Sequence, residues 1–335
     1  MNNFENLATI YDLIKEMPVK DVEAEAKAIA HQNQLTKPPG ALGILEELAI
    51  FLASWQRKTK PLLNSVQAIV FAGNHGACDQ GINPFPQEIT LQMVENFNKG
   101  GAAINQLALQ NGAELNVILL AEGKQTSDFT KGPAMSEEEC LDALNVGAKS
   151  VDLNSDILLL GEMGIGNSTI SAALCLASFG GQAKDWVGAG TGSDLKGIEL
   201  KRQVVDLAYS VNAGNLGSSF EILCAIGGRE QAAICGALLA ARQQRIPVLL
   251  DGFIACSAVA PLSPHKGIFD HMLVAHKSAE LGHTLLLKYI DKVPILDLDM
   301  RLGEGTGSAV ALAVIKSALA CHNGMATFAE AGLTG

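Results

Sequence analysis

Apolar positions recur every three or four residues through residues 4–58, in "FENLATIYDLIKEM", "VKDVEAEAKAIAHQNQL" and "GALGILEELAIFLASWQRK". That spacing predicts three helices, with the Gly and Pro of "TKPPGALG" separating the last two. From about residue 65 the texture changes. Short apolar runs appear, each ending in Gly or a polar residue: "VQAIVFAGNHG", "NVILLAEG", "SDILLLGEMG", "IPVLLDGF", "HMLVAH" and "PILDLDMRLG". Helix-like stretches lie between most of them. Short strands of this kind alternating with helices predict a parallel sheet covered on both faces, in a three-layer α/β domain with right-handed crossovers. The last stretch, "GSAVALAVIKSALACHNGMATF", returns to helix. Packed beside the N-terminal helices, it would give a small helical domain from residues 1–60 and about 308–335, against a large domain over 61–307.

The length of 335 residues suits about two domains, and 48% hydrophobic residues supply a large core. The formal net charge of −11 opposes nucleic acid, and no basic stripe with interleaved aromatics offsets it. Any phosphate must therefore be held by local features. The seven cysteines are scattered and form no CxxC, which predicts free thiols and a cytoplasmic setting. The polar, acidic start "MNNFENLATIYDL" has no signal-peptide pattern, and no apolar run is long enough to suggest a membrane span.

In open parallel sheets ligands bind at the carboxyl ends of the strands, so the loops there carry the candidate chemistry. "EMGIGNSTISAAL" places Gly164 and Gly166 where a backbone can approach a ligand. Asn167, Ser168 or Thr169 then caps the next helix, whose free N–H groups suit a phosphate. An ordinary strand-to-helix turn has the same spacing. The stretch is neither GxGxxG nor a Walker A loop, which counts against dinucleotide oxidoreductases and P-loop ATPases. "VGAGTGSD" forms a second glycine loop with Gly190, Thr191 and Gly192, followed by Lys201, which from the residues alone reads as a solvated helix lysine. His75, between glycines, reads first as a structural histidine bonded to backbone. "NPFPQ", with Phe85 and Gln87, suits the wall of a pocket for a flat heterocycle, or a proline-braced turn. His276 and His283 lack metal-ligand spacing and read as packing residues. "RLGEGTGSAV" sets Glu304 among three glycines, either as a favourable charge at a helix N-terminus or as a carboxylate at the mouth of the sheet.

Taken in order, "TKPPGALGILEELA", "NHG…FPQEIT…GGAAIN", "GEMGIGNST", "GAGTG", "AIGGRE", "LDGFI", "AHKSAELGH", "RLGEGTG" and "MATFAEAG" resemble the nicotinate-nucleotide:dimethylbenzimidazole phosphoribosyltransferase family, from about residue 35 to the C-terminus. The resemblance implies a Rossmann-like parallel six-stranded sheet, a helical domain from both chain ends, and a homodimer. It implies transfer of phosphoribosyl from nicotinate mononucleotide to 5,6-dimethylbenzimidazole with inversion at C1′, in assembly of the cobalamin nucleotide loop, with no metal or other cofactor. By resemblance Glu304 is the general base; Gln87, Leu302 and Phe85 lie beside the benzimidazole. Glu162, Gly164, Gly166, Asn167, Ser168, Gly190, Thr191, Gly192, Lys201, Arg301 and Gly303 face the nucleotide and its phosphate. Ala77 and Asn83 depart from the family pattern near the expected base pocket and bear on the choice of acceptor. The competing readings are a nucleotide-dependent oxidoreductase and a non-catalytic nucleotide-binding protein.

Overall fold

The structure, a computed structural model, describes residues 4–333; residues 1–3 and 334–335, the extremes of the expected helical domain, lie outside the described residues. Six strands form one parallel sheet: β1 Val66–Ala72, β2 Glu114–Leu119, β3 Ile157–Met163, β4 Val248–Leu250, β5 Met272–His276 and β6 Pro294–Leu296. Five of them fall within one of the apolar runs, and β2 starts two residues before its run, at Glu114. Their spatial order is β2-β1-β3-β4-β5-β6, so the order reverses at β1 and β3. The carboxyl ends of those two strands flank the crevice where such sheets bind ligands.

Both sheet faces are covered, as the unbroken apolar runs require. Val66, Ala68, Ile157, Leu159 and Leu249 pack on one side with Leu48 and Leu52 of helix Ile44–Gln56 and Leu312 and Ile315 of helix Thr306–Gly324. Ile69, Phe71, Leu158, Leu160 and Leu250 face the other way, into a core shared with helices Glu137–Lys149, Asn167–Phe179 and Arg229–Gln243. The alternation along each strand is the period of two expected of extended chain. The edge strands β2 and β6 are only partly covered.

The three predicted N-terminal helices form at Leu7–Lys15, Val22–Gln32 and Ile44–Gln56. Asn6 and Asp21 cap the first two through their side-chain oxygens. The chain ends meet where Thr36 N–H donates to Ala326 O at 3.0 Å and Phe328 N–H to Gln34 O at 2.9 Å. Among the described residues no helix is long and apolar enough to cross a membrane.

Candidate active site

The loops after β1 and β3, the "GAGTG" loop and the turn before helix Thr306–Gly324 enclose a cavity of about 290 Å³. Its wall includes Phe85, Glu162, Gly164, Gly166, Asn167, Ser168, Gly190, Thr191, Lys201, Arg301, Leu302 and Glu304. Stretches of chain far apart in sequence are thereby brought together. Gly192 sits beside Thr191 but off the cavity wall, and Gly303 lines a narrow inner recess with Glu162 and Asp251.

At one end of the cavity the helix Asn167–Phe179 begins behind Gly166. No side chain caps it, so the expectation that Asn167, Ser168 or Thr169 would do so is not met. Asn167 instead turns its amide to the Glu162 carboxylate. Ser168 Oγ faces Lys201 Nζ at 3.4 Å, and Nζ lies 3.4 Å from Ala189 O. A helix start without a side-chain cap, beside an ammonium, has the chemistry that suits an anion.

Lys201 is buried, contrary to the solvated position its isolated charge suggested, and burial lowers its pKa. The helix Leu195–Val211 places it inward, next to Gly190. Arg301 donates from Nη1 to Gly190 O at 2.9 Å and ties the second glycine loop to the Glu304 turn.

Part of the cavity wall is apolar. Phe85 and Leu302 are 47% and 50% exposed, large apolar side chains that bare their faces at the mouth although a core is available. Ile89 and Met93 extend the same wall. Asn83 lies here with its Oδ1 buried and unpartnered, while its Nδ2 donates to Phe85 O. Ala77 is buried in the core and does not reach the cavity.

Gln87 also departs from expectation. Its Oε1 accepts His75 N–H at 3.0 Å and its Nε2 donates to Gln125 Oε1 at 2.7 Å, so it braces the loop from outside and is absent from the cavity wall.

Glu304 lines the same cavity. It is 6% exposed and adopts φ 63°, a left-handed conformation that costs a non-glycine residue about 1 kcal/mol. It precedes the helix, whose N-cap is Gly305, so it is no ordinary first-turn charge. Burial, aided by the Asp251 carboxylate, pushes its pKa to about 7. Glu162, at the end of β3, is held well above the usual carboxylate range by burial and by Asp251 and Glu230. A carboxyl group that titrates near neutrality on a cavity wall is suited to proton transfer.

Two groups escaped the sequence reading. Asp251 follows β4 and is buried, with its pKa raised to about 7 by that burial. Glu280 lines the cavity, and burial raises its pKa against the pull of Lys201 and Arg301. The signal for Asp251 was its place at the carboxyl end of "PVLLDG", and for Glu280 its place in the loop that follows β5, four residues after His276.

The histidines are internal. His283 Nδ1 accepts Ser278 N–H at 2.8 Å, and His276 Nε2 lies 3.9 Å from Asp251 Oδ1. His75 is fully buried, but its ring faces Glu230 rather than backbone.

A family model described as "Phosphoribosyltransferase" matches residues 17–333. The chain is 54% identical over 335 residues to the nicotinate-nucleotide–dimethylbenzimidazole phosphoribosyltransferase of Rhodobacter capsulatus, spanning 100% of this chain and 99% of the relative. It is 50% identical over 333 residues to the protein of the same name from a Ruegeria species, covering 98% of each. The crystal structure of CobT from Thermus thermophilus superposes with a TM-score of 0.87 at 37% identity, over 93% of this chain and 99% of that one. The cavity at the β1/β3 crevice, with its Lys201 ammonium and its buried carboxyl groups, thus sits in a chain that belongs to the nicotinate-nucleotide–dimethylbenzimidazole phosphoribosyltransferase family of enzymes.

Proposed function

We propose that this chain transfers the phosphoribosyl group of nicotinate mononucleotide to 5,6-dimethylbenzimidazole, with Glu304 as general base. The observation that supports the reading is that Glu304, a buried carboxyl group, lines one cavity together with Lys201 and Ser168 and with the apolar Phe85 and Leu302. The names of the relatives supply the substrates.

In this reading the phosphate occupies the uncapped helix start beside Lys201 and Ser168. The benzimidazole lies against Phe85 and Leu302. The glycosidic nitrogen of the mononucleotide is a pyridinium, so the C1′–N bond breaks with its electron pair returning to that nitrogen, and neutral pyridine leaves as nicotinate. One benzimidazole nitrogen forms the new bond to C1′ while the other loses its proton to Glu304. Such proton transfer contributes typically ~10²–10⁴-fold. Attack from the face opposite nicotinate inverts the β-nucleotide to the α-product. The buried carboxyl groups around C1′ favour the positive charge that develops on the ribose.

Incubation with both substrates, followed by mass detection and NMR of the anomeric proton, tests this. Nicotinate and an α-ribotide in equal amounts are expected; ribose 5-phosphate, the β-ribotide or no release of nicotinate would refute it. The reading includes a homodimer, which sedimentation equilibrium tests. It also includes a helical unit from both chain ends, supported by the backbone contacts of Thr36 with Ala326 and Phe328 with Gln34.

A further inference from the structure

Beneath the cavity floor lies a contact that the proposed chemistry does not use. His75 and Glu230 are both 0% exposed, and His75 Nε2 lies 3.1 Å from Glu230 Oε1. Among the described residues neither ring nitrogen and neither carboxylate oxygen has a hydrogen-bond partner, so the 3.1 Å approach is the closest polar company either side chain has. Two buried polar side chains that face only each other are costly to keep unless their position matters.

Both ends of the pair are fixed from outside. Glu230 lies in the first turn of helix Arg229–Gln243, where a carboxylate suits the helix dipole. Arg229 anchors that turn through Nη1 to Lys124 O at 2.9 Å, and Gln231 Oε1 accepts Gly228 N–H at 2.8 Å. His75 follows β1, and Gly76 N–H donates to Thr126 Oγ1 at 3.2 Å.

From this anchorage His75 touches both walls of the cavity. Its ring lies under the loop after β3, where a Cβ on Gly164 would come 3.0 Å from Nε2 and 2.7 Å from Gly73 O. That is the nucleotide side. Its backbone N–H holds Gln87 Oε1 at 3.0 Å, at the end of the segment that presents Asn83 and Phe85 to the mouth. That is the acceptor side.

We propose that His75 and Glu230 are a positioning pair that sets the spacing between the nucleotide and acceptor walls, without touching either substrate. The proposal rests on the substrate assignment above. Removing the carboxylate frees the ring, and both walls lose their common support. A shift of about 1 Å in such a site costs up to ~10²-fold in rate or affinity.

The test measures KM for nicotinate mononucleotide and for 5,6-dimethylbenzimidazole in H75A, E230A and E230Q, with calorimetric Kd values for each ligand and a thermal midpoint. Both KM and both Kd values are expected to rise about tenfold or more in H75A and E230A. E230Q, which keeps an oxygen at Nε2, should stay within about threefold of the wild type. Unchanged KM and Kd values in folded H75A and E230A would overturn the proposal. So would failure of both truncations to fold, since the pair would then be a stability element only. Binding of both ligands without any transfer by the wild-type protein would overturn the substrate reading instead, while the Kd values still report on the pair.

Discussion

Asp251 holds the turn that carries Glu304. Its Oδ2 accepts Gly305 N–H at 3.2 Å, and its Oδ1 accepts Ser308 N–H at 2.9 Å. The strand β4 thereby fixes a helix start, and the helix start fixes a residue held at φ 63° on the cavity wall. The same carboxylate that positions Glu304 also raises its pKa. Asp251 thus sets the position of Glu304 and adds to the rise in basicity that burial mainly causes.

Activity should therefore fall on the acid side. With Glu304 titrating at about 7, the carboxylate form that accepts the proton is lost as pH drops through that value. The pH profile of kcat/KM is expected to rise about tenfold per unit below pH 7 and level off above it. In D251N one negative charge is gone while an acceptor oxygen remains, so the acid limb should move to lower pH. A limb that stays in place in D251N removes Asp251 as the neighbour that tunes Glu304.

Stability should show the opposite trend at this residue. The folded pKa of Glu304 is raised from an ordinary 4.5 to about 7, so the folded state binds more protons between those values. The wild-type contribution is fully present below about pH 4.5 and is lost as pH rises through 7. E304Q carries no such group. Its stability relative to wild type should grow across that window by up to about 3 kcal/mol, less where cavity water screens the charge. Denaturant unfolding at pH 4.5 and pH 8 measures the difference; a constant offset between the two proteins would contradict it.

Gly161 gives a steric test of the same turn. A Cβ there would lie 2.4 Å from Gly305 N and 2.6 Å from Glu304 C, against backbone that cannot swing aside. G161A should displace the turn and lower kcat by about 10²-fold. Steady-state kinetics on the folded variant decide; a wild-type kcat would show that the placement of Glu304 is not critical.

Lys201 should act on the nucleotide alone. Its Nζ lies 3.4 Å from Ser168 Oγ, at the start of helix Asn167–Phe179 where the proposed reading puts the phosphate. K201A is expected to raise KM for the mononucleotide about 10–100-fold, the worth of a charged hydrogen bond, and to leave the benzimidazole KM nearly unchanged. Equal rises in both constants would place the phosphate elsewhere.

The strands were legible because each is a short apolar run, and the central ones are buried on both faces, so that even β4, Val248–Leu250, stands out as an apolar run ending in Asp. The "GEMGIGN" loop was legible for a related reason, since a glycine loop at the end of a central strand lies at the crevice, whereas "GAGTG" connects two helices and reaches the cavity only through the packing of the chain. What stayed hidden depends on side-chain direction. Lys201 lies on a helix whose pattern does not distinguish a buried ammonium from a solvated one. Gln87 has an amide that serves equally as a substrate contact or a loop brace, and only the partners His75 and Gln125 show the second. Asp251 and Glu280 act through residues far away in sequence, a relationship that no local motif carries.

The central claim is that Glu304 removes the acceptor's proton. A single-turnover experiment with E304Q tests it most directly: nicotinate release is followed after mixing enzyme, mononucleotide and 5,6-dimethylbenzimidazole, with calorimetric Kd values measured alongside. The account predicts Kd values close to wild type and a rate lower by ~10²–10⁴-fold. A wild-type rate of nicotinate release in E304Q would contradict it.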